Sequence, residues 1–131
     1  MKVLIVDDHP LVREGLAAIL STESSIATVE QAATCNKAVK KIQQLEPDIV
    51  LVDLRLGREC GLDLIPKARK NNSTCKFVVL TSSSDRNDFK RAEELDVDGY
   101  ILKDAYPEEI LLGIKLVSRG RKYYDPSILE I

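Results

Sequence analysis

Residues 48–53 read Asp48-Ile49-Val50-Leu51-Val52-Asp53, and no other stretch restricts the fold as tightly. Four consecutive apolar residues between two acids form a strand covered on both faces, because a half-exposed strand would alternate apolar with polar. Strands of that kind occur in parallel sheets clad by helices. In open sheets of that class, the groups that handle ligands gather outside the carboxyl ends of the strands. Asp53 closes the run, so the pattern predicts a carboxylate at that rim.

The same grammar recurs along the chain. Lys2-Val3-Leu4-Ile5-Val6 runs into Asp7-Asp8, Phe77-Val78-Val79-Leu80 into Thr81, and Tyr100-Ile101-Leu102 into Lys103. Residues 26–32 form a weaker strand, interrupted by Thr28, Glu30 and Gln31 and therefore expected near a sheet edge. Helical periodicity fills the gaps. A first helix starts at Pro10 and runs to about residue 23 on Val12, Leu16, Ile19 and Leu20. Thr34 caps a second, which carries Ala38, Val39, Ile42 and Leu45 and ends at Pro47. A third spans about residues 62–70 with Pro66 inside it. A fourth carries Phe89, Ala92 and Leu95; charged and thinly apolar, it is expected to be the least rigid element. The last runs over residues 107–118 on Ile110, Leu111, Ile114 and Val117, and Gly120 stops it. Strand and helix alternate five times. Short right-handed crossovers then give an α/β fold, a doubly wound five-stranded parallel sheet with helices on both faces.

With 131 residues the chain is expected to fold as one domain, and 44 % hydrophobic with 31 % charged residues suit a globular one. A net charge of −2 argues against nucleic-acid binding through a broad basic face of this segment. The three cysteines, Cys35, Cys60 and Cys75, are odd in number and lack C-x-x-C spacing, so free thiols in a reducing cytoplasm are expected. No apolar run approaches the roughly 18 residues of a membrane span, and the first residues enter a strand without a secretory leader. Residues 125–129, Asp125-Pro126-Ser127-Ile128-Leu129, read as a cap, a first-turn proline and the start of a helix that the sequence barely continues. That is the appearance of a chain cut within an inter-domain linker.

Asp7, Asp8, Asp53, Thr81 and Lys103 all fall at strand ends on one rim. Each close carboxylate pair there costs on the order of 4 kcal/mol at an effective dielectric near 20. Domains are stable by only about 5–15 kcal/mol. A divalent cation would offset the repulsion, and carboxylate and carbonyl oxygens suit Mg²⁺. A carboxylate beside Mg²⁺ and a lysine can attack phosphorus and form an aspartyl phosphate, with the Thr81 hydroxyl donating to a phosphoryl oxygen.

On these residues the chain resembles the receiver domain of two-component response regulators. The resemblance rests on Val6-Asp7-Asp8, Asp53, Leu80-Thr81-Ser82 and Tyr100-Ile101-Leu102-Lys103, over about residues 2–119. The segments from Asp7 to Leu16, Gly99 to Ala105 and Gly120 to Pro126 are similar to the NarL/LuxR branch, in which a helix-turn-helix DNA-binding domain follows the receiver. The resemblance implies a flavodoxin-like strand order of 2-1-3-4-5. It implies a receiver over residues 1–120, with residues 121–131 starting a linker towards a DNA-binding domain absent from this chain. Asp53 would accept a phosphoryl group from a sensor histidine kinase. Asp8, Asp53 and the Arg55 backbone carbonyl would hold Mg²⁺ directly, and Asp7 mainly through water. Lys103 would pair with the phosphoryl group, Thr81 would move towards it and Tyr100 would turn inward behind it. The switch would drive homodimerisation and so control transcription. Such a chain is no conventional enzyme, since it catalyses only its own phosphoryl transfer and hydrolysis.

Several positions depart from the common pattern. Gly57 replaces a frequent proline, which suggests a looser loop over the site. Ser82 stands where alanine is common, and Asp104 follows the lysine where many receivers have proline. Arg55 and Ser83 sit where the family tunes hydrolysis. His9, beside the acid pair, reads as a helix-start residue touching the carboxylates. Other functions fit less well. A flavin site would need a small-residue phosphate cradle where Asp7-Asp8 stand, and a haloacid-dehalogenase-type phosphatase would need an acid where Arg55 stands. The remaining alternative is a receiver-like interaction module that is never phosphorylated.

Overall fold

The computed structural model describes residues 1–71 and 73–129. In chain order the strands are β1 (Lys2–Val6), β2 (Thr28–Ala32), β3 (Ile49–Val52), β4 (Arg55–Leu56), β5 (Glu59–Cys60), β6 (Lys76–Thr81), β7 (Gly99–Leu102) and β8 (Tyr123–Tyr124). The helices are α1 (Pro10–Ser21), α2 (Cys35–Leu45), α3 (Leu64–Lys70), α4 (Arg86–Glu94), α5 (Pro107–Ser118) and α6 (Pro126–Leu129), with a 3₁₀ turn at Gly61–Asp63.

Six strands form one parallel sheet in the order β2-β1-β3-β6-β7-β8, and β4 and β5 form a separate antiparallel hairpin. The expected order 2-1-3-4-5 is therefore present, with the weak strand β2 at one edge. The count of five is corrected to six. Tyr123-Tyr124 runs beside Gly99 and Tyr100 and covers what would be the open edge of β7. Two residues are too few to produce a periodic signal in the sequence. The strand order reverses between β1 and β3, so the ends of those two strands flank the topological switch point.

Alternation along the strands sends side chains into two cores. Leu4, Val6, Val50, Val52, Phe77, Val79, Tyr100 and Leu102 pack with α2, α3 and α4; Val3, Ile5, Ile49, Leu51, Val78, Leu80 and Ile101 pack with α1 and α5. All four residues of β3 are buried, as its unbroken apolar run requires. Local chemistry sets the helix starts. The Thr34 hydroxyl accepts the Lys37 amide, the Asp85 carboxylate accepts the Asn87 amide, and Pro10 and Pro107 stand in the first turns of α1 and α5. Pro66 falls in the first turn of α3, where its missing N–H costs nothing, so it does not kink the helix. Helix α1 stops at Ser21, slightly short of the expected end, because the Thr22 hydroxyl and amide both turn back onto the Ile19 carbonyl.

Beyond α5 the chain stays on the domain. Ile128 is 2 % exposed and Asp125 is 4 % exposed, and α6 begins as the Asp125-Pro126 pattern predicts. Residues 130 and 131 of the expected linker lie outside the described residues. Among the described residues no helix is long and apolar enough to cross a membrane.

Candidate functional site

The carboxyl rim collects the acids. Asp7 and Asp53 leave the ends of β1 and β3 and are 2 % and 5 % exposed; Thr81 ends β6 and is equally buried. Lys103, one residue beyond β7, reaches across β6 to place its Nζ 2.7 Å from Asp53 Oδ2 and 2.8 Å from Asp7 Oδ2. One ammonium thus serves two buried carboxylates that would otherwise repel. Burial alone would push the Asp7 carboxyl up, but hydrogen bonds from Lys103 and from the His9 amide outweigh it and hold the group below its ordinary value. Burial works against the Lys103 ammonium, and the bonds to Asp53 and Asp7 again win, holding it above the usual lysine value.

Asp8 completes the acidic group. Its Oδ2 accepts the Gly57 amide at 2.9 Å. Its Oδ1 is shielded from solvent yet has no hydrogen bond. His9 Nδ1 lies 3.0 Å from that oxygen without the angle a hydrogen bond needs, and 3.1 Å from Asp7 Oδ1. Ligand atoms of Asp7, Asp8, His9 and Asp53 all fall within 4.8 Å of one another. A shielded carboxylate oxygen without a donor, facing two further carboxylates, is what a hard cation would satisfy. The oxygen-rich donor set fits Mg²⁺ rather than a thiophilic metal. Arg55 follows Asp53 by two residues, and its amide points back at Asp53 Oδ1 at 3.4 Å. His9 is the N-cap residue of α1 and touches both acids, as expected.

The loop after Asp53 is a hairpin rather than a loose segment. Arg55 pairs with Cys60 and Leu56 with Glu59 around the two-residue turn Gly57-Arg58. Gly57 has φ +62°, which suits the first position of a type II′ turn and favours glycine. Buried Leu54 and Leu56 anchor the hairpin to the core below. Gly61, just after it, lies so close to the end of β3 that a Cβ there would sit 1.7 Å from the Asp53 carbonyl oxygen.

On the other flank, Thr81 Oγ1 accepts the Ser83 amide at 3.2 Å and the Tyr100 hydroxyl donates to the Ser83 carbonyl at 3.1 Å. The Ser83 hydroxyl in turn donates to Asp88 of α4 at 2.6 Å. Ser83 therefore joins the rim hydroxyl, the buried tyrosine and the start of α4. Tyr100 is packed inward with no exposure, and burial, reinforced by the charge of Asp88, pushes its hydroxyl up to about 12. The Phe89 ring lies nearly perpendicular to those of Tyr100 and Tyr124, with centroids 5.2 Å and 5.4 Å away.

All the sequence-derived residues, Asp7, Asp8, Asp53, Arg55, Thr81, Tyr100 and Lys103, thus lie on or beside one rim. Two supporting residues escaped the sequence reading. Arg13 donates to the Asp7 carbonyl at 2.7 Å and to Gln31 Oε1 at 3.1 Å, pinning the end of β1 to the edge strand. A basic residue one turn into a helix gives only a faint hint of that. Asp125 was read as a helix cap alone, and its buried second oxygen leaves no local trace.

Comparison with known proteins agrees with this geometry. Residues 3–115 match the response regulator receiver domain. Over 129 residues, 98 % of this chain, the sequence is 35 % identical to the response regulator protein VraR of Staphylococcus aureus. The chain spans 62 % of the length of that curated relative. The crystal structure of a LuxR-family two-component response regulator from Aurantimonas sp. SI85-9A1 superposes with a TM-score of 0.92 at 28 % identity, covering 98 % of this chain and 92 % of that one. The signal receiver domain of NarL from Mycobacterium tuberculosis gives 0.85 at 27 % identity, covering 92 % and 97 %.

Proposed function

Because this chain belongs to the response regulator receiver family, within its NarL/LuxR branch, we propose that Asp53 accepts a phosphoryl group from the phosphohistidine of a sensor kinase. An Asp53 carboxylate oxygen attacks phosphorus; the new O–P bond forms as the N–P bond breaks and its electron pair returns to the kinase imidazole. The observation that carries this reading is the Lys103 ammonium shared by Asp53 and Asp7 beside an oxygen of Asp8 that lacks any donor. Such an arrangement sets like charges against one another in a buried place; incoming positive charge relieves it, and Lys103 is placed to pair with a phosphoryl oxygen.

Asp8, Asp53 and the Arg55 carbonyl would hold Mg²⁺, with Asp7 acting mainly through water. When bound, the ion supplies charge neutralisation for the phosphoryl oxygens. Lys103 exchanges Asp7 and Asp53 for a phosphoryl oxygen. Thr81 releases the Ser83 amide and donates to another. Because Ser83 also holds the Tyr100 hydroxyl, a change at Thr81 is felt at Tyr100 and at α4, so phosphorylation shifts the population of two surface arrangements.

We assign residues 1–120 to the receiver and residues 121–131 to the beginning of the connection towards a C-terminal helix-turn-helix domain. In the whole cytoplasmic regulator, phosphorylation drives homodimerisation through either the α4-β7-α5 or the α1-α5 face and so controls transcription. Intact mass after incubation with acetyl phosphate and Mg²⁺ tests the central step. One phosphoryl addition is expected on the wild type and none on Asp53→Asn. An unmodified wild type would overturn the proposal in favour of an interaction module that is never phosphorylated.

A further inference from the structure

We propose that Asp125, ten residues beyond the family match, is a positioning residue for Lys103 and makes the tail a working part of the phosphorylation site; this rests on the function proposed above. The argument begins at the edge of the sheet. Backbone amides along β7 point alternately to β6 and to β8. Lys103 donates to the Thr81 carbonyl on the β6 side. The Leu102 amide points the other way, into a buried position, since Leu102 is 8 % exposed.

β8 is too short to meet it. The ladder runs from the Tyr123 amide on the Asp98 carbonyl to the Asp125 amide on the Tyr100 carbonyl at 2.7 Å, and then the chain turns away into α6. The Asp125 side chain supplies the missing rung, its Oδ2 accepting the Leu102 amide at 3.2 Å. Its Oδ1 accepts the Ser127 amide at 2.9 Å and so fixes the start of α6. A single carboxylate, 4 % exposed, replaces a strand carbonyl and caps a helix.

The residues on either side of the Leu102–Lys103 link are thereby clamped from opposite directions, by Thr81 and by Asp125. Lys103 needs such a clamp because its ammonium must meet two carboxylates within 2.8 Å. Leaving the Leu102 amide without a partner in a dry setting would free the strand end that aims the lysine. The link runs in both directions. Tyr124 packs on Phe89, which packs on Tyr100, so the tail also touches the tyrosine wired to Thr81 through Ser83. Coupling between two sites is reciprocal, so occupancy of the phosphoryl site should tighten the tail.

The test measures the rate of phosphorylation by acetyl phosphate at saturating Mg²⁺, together with Mg²⁺ affinity by calorimetry, on the 131-residue chain. Asp125→Ala should be slower by about fivefold, the equivalent of one ordinary hydrogen bond, with Mg²⁺ affinity unchanged because Asp8 and Asp53 are untouched. Asp125→Asn keeps one acceptor oxygen, enough for the Leu102 amide but not for Ser127 as well, and should recover part of the rate, falling between Asp125→Ala and the wild type. A rate for Asp125→Ala equal to the wild type overturns the inference. So does equal loss of rate and Mg²⁺ affinity, which would signal general loosening, or failure of Asp125→Asn to recover. If the substituted chain does not fold, amide exchange in the wild type decides. Beryllofluoride with Mg²⁺ should slow exchange at Leu102 and Ser127, and unchanged exchange there overturns the inference. A wild type that takes no phosphoryl group at all refutes the proposed function instead, a separately readable outcome.

Discussion

The two ends of the sheet use the same side chain for opposite purposes. At the amino end, Asp48 and Asp98 each close a backbone vacancy: Asp48 accepts the Lys2 amide at 2.7 Å and Asp98 the Phe77 amide at 3.0 Å. Each acid has its own donor, and Lys76 caps the last turn of α5 through the Val117 carbonyl. At the carboxyl end, Asp7 and Asp53 share one ammonium, and Asp8 beside them keeps one shielded oxygen without a donor. The amino end is built for stability. The carboxyl end leaves like charges facing one another and one oxygen unsatisfied, the pattern expected where local rules are broken for function.

The contrast can be broken most severely at Lys103. Lys103→Met leaves two buried carboxylates uncompensated, and a loss on the order of 3–5 kcal/mol is expected in urea unfolding without divalent cations. Added Mg²⁺ should return part of it by binding the folded state. A melt insensitive to both changes would mean that the rim is not strained.

Removing an acid from each end sharpens the comparison. Asp98→Ala strands the Phe77 amide and should cost about 1–3 kcal/mol, with no rescue by Mg²⁺. Asp8→Asn should do the reverse and stabilise the cation-free protein by about 1 kcal/mol, because an amide nitrogen then donates into the acidic group. The same change should abolish the Mg²⁺-dependent rise in thermal midpoint. Destabilisation by both substitutions would erase the distinction between the two ends.

The smallest effect is in pH. Asp7 titrates below its unfolded value near 3.9, so its contribution is complete above that pH and is lost as the pH falls through the lower folded value. Lys103 titrates above its unfolded value near 10.4, so its contribution is complete below that pH and is lost as the pH rises through the higher folded value. Between about pH 5 and pH 10 the pair should be fully effective. Between pH 5 and pH 3 the urea midpoint should fall more steeply for the wild type than for Lys103→Met, and parallel falls would show that Lys103 does not set the Asp7 titration.

What could be read from the sequence follows from range. Asp7, Asp53, Thr81 and Lys103 were legible because each ends a run of apolar residues, and a run fixes both the strand and the rim on which its last side chain stands. The order of the strands followed from alternation and handedness. Contacts without a local pattern were hidden. Thr34 was recognisable as a cap, since its partner lies three residues away. Asp125 was recognisable for the same reason through Ser127, while its bond to Leu102 spans 23 residues. The β4-β5 hairpin and β8 are two-residue strands, shorter than any periodicity, and Arg13 meets a carbonyl that carries no sequence identity.

Gly61 gives the site an evolutionary boundary. Arg58 and Glu59 of the hairpin are exposed, so drift there leaves the buried packing in place. At position 61 even a methyl group would strike the main chain of Asp53 itself before meeting anything else. A descendant that lost this one hydrogen-only side chain would be expected to lose the placement of Asp53 in the same step.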